Sequence, residues 1–277
     1  MRCLLTLREK YKMPTVTQDL NNLPDVQSEL DVRGMPIQRV GVTDVRYPIC
    51  FSSSESTQST SGLWEVAVSL VREKRGTHMS RFLEVLSEFE GVQTLDTLLE
   101  MCVQVKERVS AEDAFLKVQF PWFVEKSAPV SKRTGKLGFD AEISVSCGRA
   151  CDAEVSIRVP ATSLCPCSKQ ISDFGAHNQR CELRLSVRFS DGEMISLEEM
   201  FRIAERSASA QLYSVIKRVD EKHVTEQAYS NPKFVEDTVR DLAESLNSDV
   251  RIEWFKCAVE NFESIHSHNA FAEIISE

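Results

Sequence analysis

Cys165 and Cys167 stand one residue apart around Pro166 in PATSLCPCSKQISDFGAHNQRC, residues 160–181. His177 follows Cys165 by twelve residues, just past the turn-forming Asp173-Phe174-Gly175. Thiolates and an imidazole brought together by a turn suit a borderline metal such as zinc. The C-x-C…H spacing departs from the paired C-x2–4-C doublets of structural zinc sites. It favours a site with few protein ligands and an open coordination position, the catalytic arrangement. A metal held this way lowers the pKa of a bound water from about 15.7 towards about 7. Two plainer readings compete. A reducing cytosol lets cysteines be buried as small apolar side chains, and Cys147 and Cys151 of CGRAC could join Cys165 and Cys167 as a four-thiolate structural knot.

The other titratable positions of the second half are ordinary when taken singly. Glu221 and His223 follow an expected long helix in RVDEKH and read as a solvated helix end. Glu236 lies in the first turns of a further helix, where a carboxylate is a favourable dipole partner. His266 and His268 alternate with Ser264 and Ser267 and read as surface histidines. Their chemistry is nonetheless useful. A neutral histidine shuttles protons near neutral pH. An ionised carboxylate only accepts, so in a dry pocket it pairs with two donors on one planar edge, as a guanine or pterin ring offers.

These residues must be positioned by a chain of 277 residues, enough for one large or two ordinary domains. With 42% hydrophobic and 27% charged residues it reads as a globular protein with a proper core. No apolar run approaches the roughly 20 residues that cross a bilayer, so no membrane association is expected. The start, MRCLLTLREKYK, is a poor signal peptide, and Met13 offers a second start of translation. Nine cysteines, an odd number, fit reduced thiols and a cytoplasmic location. A net charge of −9 argues against nucleic acid as a partner but leaves room for a phosphorylated small molecule.

Residues 1–22 read as a disordered extension and 23–49, with three prolines, as an extended arm. Residues 52–62 read as a serine-rich loop or a mobile hairpin tip. Strands are expected at 63–74, 113–124, 136–146, 151–159, 181–189 and 249–262. Helices are expected at 77–89 and 94–109. Further helices are expected at 196–219 behind a Ser196/Glu199 capping box, and from Asn231-Pro232 to about Asn247. Grouped strands and grouped helices indicate α+β rather than βαβ winding.

The segments LPDVQSELDVRGMPIQRVGV, RGTHMSRF, FPWFVEKSAPVS, TSLCPCSKQISDFGAHNQR and NPKFVED together resemble GTP cyclohydrolase I type B, over about Leu23 to His268. The resemblance implies a tandem, bimodular tunnelling fold, each module an antiparallel four-stranded sheet carrying two helices. The modules are expected at 23–130 and 131–277, the second carrying most of the metal site. It also implies a homotetramer with active sites at subunit interfaces. The implied reaction converts GTP and water to 7,8-dihydroneopterin triphosphate and formate, the first step of folate-type pterin synthesis. The implied cofactor is a divalent metal ion: zinc, manganese or iron.

By motif, Cys165, His177 and Glu221 match the metal ligands, with Asp220 a one-residue competitor for Glu221. Cys165 and Cys167 match the catalytic cysteines, His266 a proton-transfer histidine with His268 its local competitor, and Glu236 the carboxylate that anchors guanine. Arg75, Arg81, Lys126, Lys169 and Arg180 are candidates for the triphosphate. The N-terminal extension and Cys147, Cys151 and Cys181 depart from the family's pattern. Alternatives are another tunnelling-fold enzyme, of nitrile reductase or pyruvoyl-pterin synthase type, and a non-catalytic structural zinc module.

Overall fold

Alternation of apolar and polar residues along six long segments of the chain builds one sheet with a dry face and a wet face. The computed structural model describes residues 25–190 and 194–277, so the expected extension 1–22 lies outside the described residues. Its strands are β1 (Ile37–Ser52), β2 (Thr57–Leu70), β3 (Val92–Gln93), β4 (Ala114–Ser127) and β5 (Thr134–Cys147). β6 (Cys151–Leu164), β7 (Asn178–Phe189), β8 (Ile252–Asn261) and β9 (Ala270–Ile275) follow. They form a single sheet in the order β3-β1-β2-β4-β5-β6-β7-β8-β9. All pairings are antiparallel except the two-residue contact of β1 with β3.

On the dry face, Leu116, Val118, Phe120 and Trp122 of β4 meet Phe139, Ala141, Ile143 and Val145 of β5, all buried. β6, β7 and β8 continue the layer with Val155, Ile157, Leu183, Leu185, Cys257 and Val259. Helices α1 (Ser80–Glu88), α2 (Leu95–Arg108), α4 (Leu197–Ser207) and α6 (Val235–Asn247) join that core through buried residues at helical spacing. Leu98, Met101, Cys102 and Val105 are the buried stripe of α2, and Val235, Val239, Leu242 and Leu246 that of α6. The wet face carries charge pairs across strands, such as Arg184 between Glu182 (2.6 Å) and Glu260 (2.7 Å).

Several expectations change. The two expected four-stranded sheets are fused edge to edge through β5 and β6 into one sheet, and β3 is an added ninth strand. Among the described residues the second half carries α3 (Pro166–Ile171) and α5 (Arg218–Ser230) besides α4 and α6, four helices rather than two. The order strand-strand, helices, strand-strand nevertheless recurs on either side of the turn at 148–150. The expected boundary at 130/131 falls inside the β4–β5 hairpin. Residues 37–49 of the expected arm belong to β1, held along its length by β2, and the serine-rich stretch is the β1–β2 hairpin tip, with its turn at 53–56. β9 was not expected.

The expected helix 196–219 stops at Ser207. There the chain turns to bridge the end of β6, with Thr162 and Ala210 exchanging backbone bonds of 3.0 and 3.2 Å. A sheet edge with unpaired amides competes with a helix already weakened by Ser207 and Ser209. Asn231 does not start a helix. Its amide donates to the carbonyls of Ala208 (3.2 Å) and Ser209 (3.1 Å), and α6 begins at Val235 with Asp237 accepting the Phe234 N–H (3.0 Å).

Candidate active site

Cys165 leaves β6 and becomes the N-cap of α3, with Pro166 at its first turn. Proline there loses nothing, because the first amides of a helix have no intrahelical partner. The turn then brings His177 back immediately before β7, so the two candidate ligands lie at the same end of adjacent strands. Two links hold them. The Cys165 N–H donates to the His177 carbonyl (3.3 Å). The Ser168 hydroxyl accepts the His177 N–H (3.2 Å) and donates to the Cys165 carbonyl (3.1 Å). Both candidate ligands are partly buried, whereas Cys167 is exposed on α3.

The imidazole is oriented by a chain of acceptors and donors that fixes its tautomer. Gln179, 8% exposed, sits two residues along from His177. Its Nε2 lies 3.0 Å from Glu263 Oε1, and an ionised carboxylate only accepts, so Nε2 must be the amide end facing Glu263. Gln179 Oε1 therefore faces His177 Nδ1 at 2.9 Å, and Nδ1 must carry the proton. Ser264 Oγ stands 3.1 Å from the same Nδ1. Nε2 of His177 is left with its lone pair. This is the outer-shell arrangement that prepares a histidine for a metal.

Helix α5 approaches the same end of β6. Ala228 and Val224 pack with Leu164, Ala210 and Ala176, and Lys233 N–H donates to the Leu164 carbonyl (3.1 Å). Glu221 lies on that face of α5, three residues before Val224 and seven before Ala228. Its neighbour Asp220 is fully buried and already saturated. It accepts from the amides of Val130 (2.9 Å), Ser131 (2.8 Å) and Lys217 (2.8 Å) and from the Ser131 hydroxyl (2.6 Å). Burial pushes its carboxyl up, but the Ser131 hydroxyl and these amides outweigh that and hold it below the ordinary aspartate value. Asp220 anchors the 128–131 turn, and Glu221 is the carboxylate that remains exposed.

The remaining candidates flank this end of the sheet. Glu236 is exposed in the first turn of α6, with no partner for its carboxylate among the described residues. His266 and His268 are exposed and stacked with ring centroids 5.1 Å apart, in the loop that also supplies Glu263 and Ser264. Of the basic candidates, Arg180 is exposed and has no side-chain partner among the described residues. Arg75 pairs with Glu29, and Lys169 donates to the Tyr229 carbonyl (2.6 Å). Lys126 is buried against Glu205 and bonds Gln211 (3.2 Å), with its ammonium 4.4 Å from the Tyr213 ring centre. Burial pulls Lys126 down and pushes Glu205 up, in each case against the pull of the ion partner.

The sequence profile of the type I GTP cyclohydrolase folE2 family matches residues 23–272. GTP cyclohydrolase FolE2 of Magnetococcus marinus is 47% identical over 254 residues, covering 91% of this chain and 95% of the relative. That of Syntrophobacter fumaroxidans is 45% identical over 251 residues, covering 90% and 97%. This chain belongs to the type I GTP cyclohydrolase folE2 family. Among solved structures, the uricase of Arthrobacter globiformis aligns with 86% of this chain and 92% of its own, at 9% identity and a TM-score of 0.47. Urate oxidase from Bacillus sp. TB-90 aligns with 87% and 99%, at 9% identity and a TM-score of 0.48.

In this folE2 family member the donor set suits a divalent cation. A thiol, an imidazole whose Nδ1 is already engaged, and a carboxylate lie around one end of β6. Ser163 Oγ, buried and without a partner among the described residues, stands two residues before Cys165, near the end of β6. Within a single chain, no three His, Cys, Asp or Glu side chains converge closely enough to hold a metal, among the described residues. The backbones of Cys165 and His177 are hydrogen-bonded to each other, and Glu221 does not close on them as a third ligand.

The four-thiolate knot is excluded. Cys147 and Cys151 lie at the opposite end of β6 from Cys165, roughly 45 Å along an extended strand. No helix among the described residues is long and apolar enough to cross a membrane. Gln179, Glu263, Ser264 and Ser168 were missed from sequence. The only signal for Gln179 was its i+2 spacing from His177, which shares a strand face. Nothing local marks Glu263 and Ser264, because they arrive from more than 80 residues away.

Proposed function

We propose that this chain is a GTP cyclohydrolase, opening the imidazole ring of GTP at C8 to give 7,8-dihydroneopterin triphosphate and formate. Family membership over nearly the whole chain supports the activity. The observation that carries the residue assignment is the Cys165–His177 pair, with its histidine tautomer set by Gln179 and Glu263.

Cys165, His177 and Glu221 are the residues that hold a divalent cation, zinc, manganese or iron. When bound, that cation supplies a Lewis acid that makes water nucleophilic near neutral pH. Glu236, exposed and unpaired beside Phe234, accepts two N–H groups from the guanine edge and orients the base. Arg180 takes part of the triphosphate charge. Lys126, Arg75 and Lys169 serve only if their present partners release them. His266 exchanges a proton with the opening imidazole ring, and Cys167 stands beside the reacting end as a second thiol. Water adds to C8 and the C8–N9 bond breaks, a second water cleaves the C8–N7 bond so that C8 leaves as formate, and the rearranged ribose carbons close the pterin ring with loss of one water.

The same reading includes a tandem tunnelling fold, with the module boundary moved from 130/131 to the 148–150 turn, where the recurring strand order supports it. It also includes a homotetramer in which a neighbouring subunit completes each site, and a reducing, cytoplasmic setting.

The test is anaerobic incubation of metal-loaded protein with GTP, followed by oxidation, pterin fluorescence and a formate assay in the same tube. Both products should appear and be lost with chelator and in Cys165→Ala. Glu236→Gln should lose GTP recognition while keeping its metal. Folded, metal-loaded protein that yields neither product overturns the activity, and loss of metal in Glu236→Gln overturns the role given to Glu236.

A further inference from the structure

Far from this site, two cysteines face each other at the tip of the β5–β6 hairpin. Cys147 and Cys151 are direct cross-strand partners with Sγ atoms 2.6 Å apart. The Gly148 N–H donates to the Ala150 carbonyl (3.0 Å), so residues 148 and 150 are the hydrogen-bonded neighbours of the pair. Cys147 and Cys151 therefore occupy a non-hydrogen-bonded position, where Cα atoms approach to about 4.5 Å and side chains are closest. A separation of about 4.5 Å falls within the Cα range of disulfides, about 4.4 to 6.8 Å, so a bond needs no backbone movement. Lys106 of α2 fixes the tip by donating to the Gly148 carbonyl (2.6 Å).

The two thiols differ in access. Cys151 is exposed and lines a cavity of about 530 Å³ that also presents Asp96, Asp152 and Glu253. Cys147 is 1% exposed and lies under α2, its sulfur 3.9 Å from the Leu99 carbonyl. Burial first, and then the Cys151 thiol, push the Cys147 thiol above its ordinary value, so it stays protonated until its neighbour reacts. Asp152 pairs with Arg188 (3.4 Å), while Asp96 and Glu253 leave the cavity acidic, which disfavours anionic oxidants such as glutathione disulfide and admits small neutral ones.

We propose that Cys147 and Cys151 form a peroxide-responsive dithiol, in which a small neutral hydroperoxide oxidises Cys151 and Cys147 resolves it to a reversible cross-strand disulfide. The Cys151 thiolate attacks one peroxide oxygen. The O–O bond breaks, a sulfenic acid forms, and the departing oxygen leaves as water after taking a proton. Cys147 then gives up its proton as its sulfur attacks the Cys151 sulfur. The S–S bond forms, the S–O bond breaks, and the hydroxyl leaves as a second water. Two thiols are oxidised and one peroxide is reduced, with no other reactant.

The sequence provides its own assay, because Arg149 lies between the two cysteines. Full-length protein is treated with stoichiometric hydrogen peroxide, alkylated, denatured and digested with trypsin. The proposal expects peptides 137–149 and 150–158 to appear as one linked species that dithiothreitol separates. Cys102, in peptide 82–106, should remain alkylated. Cys165 and Cys167 fall on peptide 159–169, so oxidation at the candidate active site is read separately and cannot be mistaken for this pair. Cys151→Ser should abolish the linkage. Cys147→Ser should leave a Cys151 sulfenic acid that dimedone traps. Sulfinic acid at Cys151 with Cys147 still alkylated in the wild type, linkage of Cys147 to Cys102 instead, or no dimedone adduct in Cys147→Ser would each overturn the proposal.

Discussion

Replacing Gln179 with leucine tests whether the His177 tautomer is what prepares the candidate metal site. Leucine keeps the buried volume but removes both ends of the amide. His177 Nδ1–H then loses its 2.9 Å acceptor and Glu263 loses its donor. Outer-shell partners of this kind are worth roughly 10- to 100-fold in metal affinity, or about 1.4 to 2.7 kcal/mol. Ser264 Oγ, 3.1 Å from Nδ1, remains as a reserve acceptor, so the single change belongs near the low end of that range. Gln179→Leu should weaken zinc binding by about tenfold, and Gln179→Leu with Ser264→Ala by about a hundredfold. Glu263→Gln should cost less than either, because a glutamine there can still accept from Gln179. The assay is competition with a zinc-responsive chelator at fixed pH, with thermal melts to confirm that each variant is folded. Unchanged affinity in the double variant, beside complete loss in His177→Ala, would refute the network.

Three further outcomes follow from the frame around the site. Glu198, 7% exposed, accepts from Ser53 (2.5 Å), Ser56 and Trp122 Nε1 (2.9 Å), tying α4 to the β1–β2 turn and to β4. Glu198→Gln should lower stability by about 2 kcal/mol and Glu198→Ala, which strands three donors, by about 4 kcal/mol. Urea midpoints will read this, and an alanine variant as stable as the wild type would refute the assignment. Lys126→Met leaves the Glu205 carboxylate buried and unpaired and should cost about 3 kcal/mol, while Lys126→Met with Glu205→Leu should recover most of it. A double variant no better than the single would contradict that account. Asp220 is held below its ordinary carboxyl value of 3.8 in the folded chain, so its contribution is complete above that value and fades as pH falls beneath it. The difference in urea midpoint between wild type and Asp220→Asn should therefore be largest near neutral pH and shrink below about pH 3.8. A gap that does not change with pH would show that the charge is not what anchors the turn at 128–131.

Much of the layer structure was legible in the sequence because it is periodic. Strict alternation through FLKVQFPWFV and ELRLSVRF left those segments one way to bury an apolar face, and β4 and β7 follow it. Ser196 likewise marked a helix start, since a hydroxyl satisfies an amide that has no other partner. The C-x-C…H cluster could be read because its members lie within thirteen residues and one turn closes them. Helix ends were less legible. Nothing within 196–219 says that Ala210 will pair with Thr162, since the benefit comes from an edge about fifty residues earlier in the chain. Arm and strand could not be separated at 37–49 either, because Pro36 before the segment and Pro48 within it describe an edge strand as well as they describe a coil.

The site divides along the same line. Residue types and short spacing were enough to nominate Cys165, Cys167 and His177 as a chemical unit. Motif resemblance was enough to nominate Glu221, Glu236 and His266. Only the folded chain separates Asp220 from Glu221, because the difference lies in four donors, three of them from the 128–131 turn and its approach to α5. Only the folded chain sets the proton on His177 Nδ1, through Gln179, Glu263 and Ser264. Only the folded chain parts the two cysteine pairs, placing one at each end of a fourteen-residue strand. Local chemistry is written in neighbouring residues. The protonation state, partner and reach of each group depend on which distant backbone the sheet brings beside it.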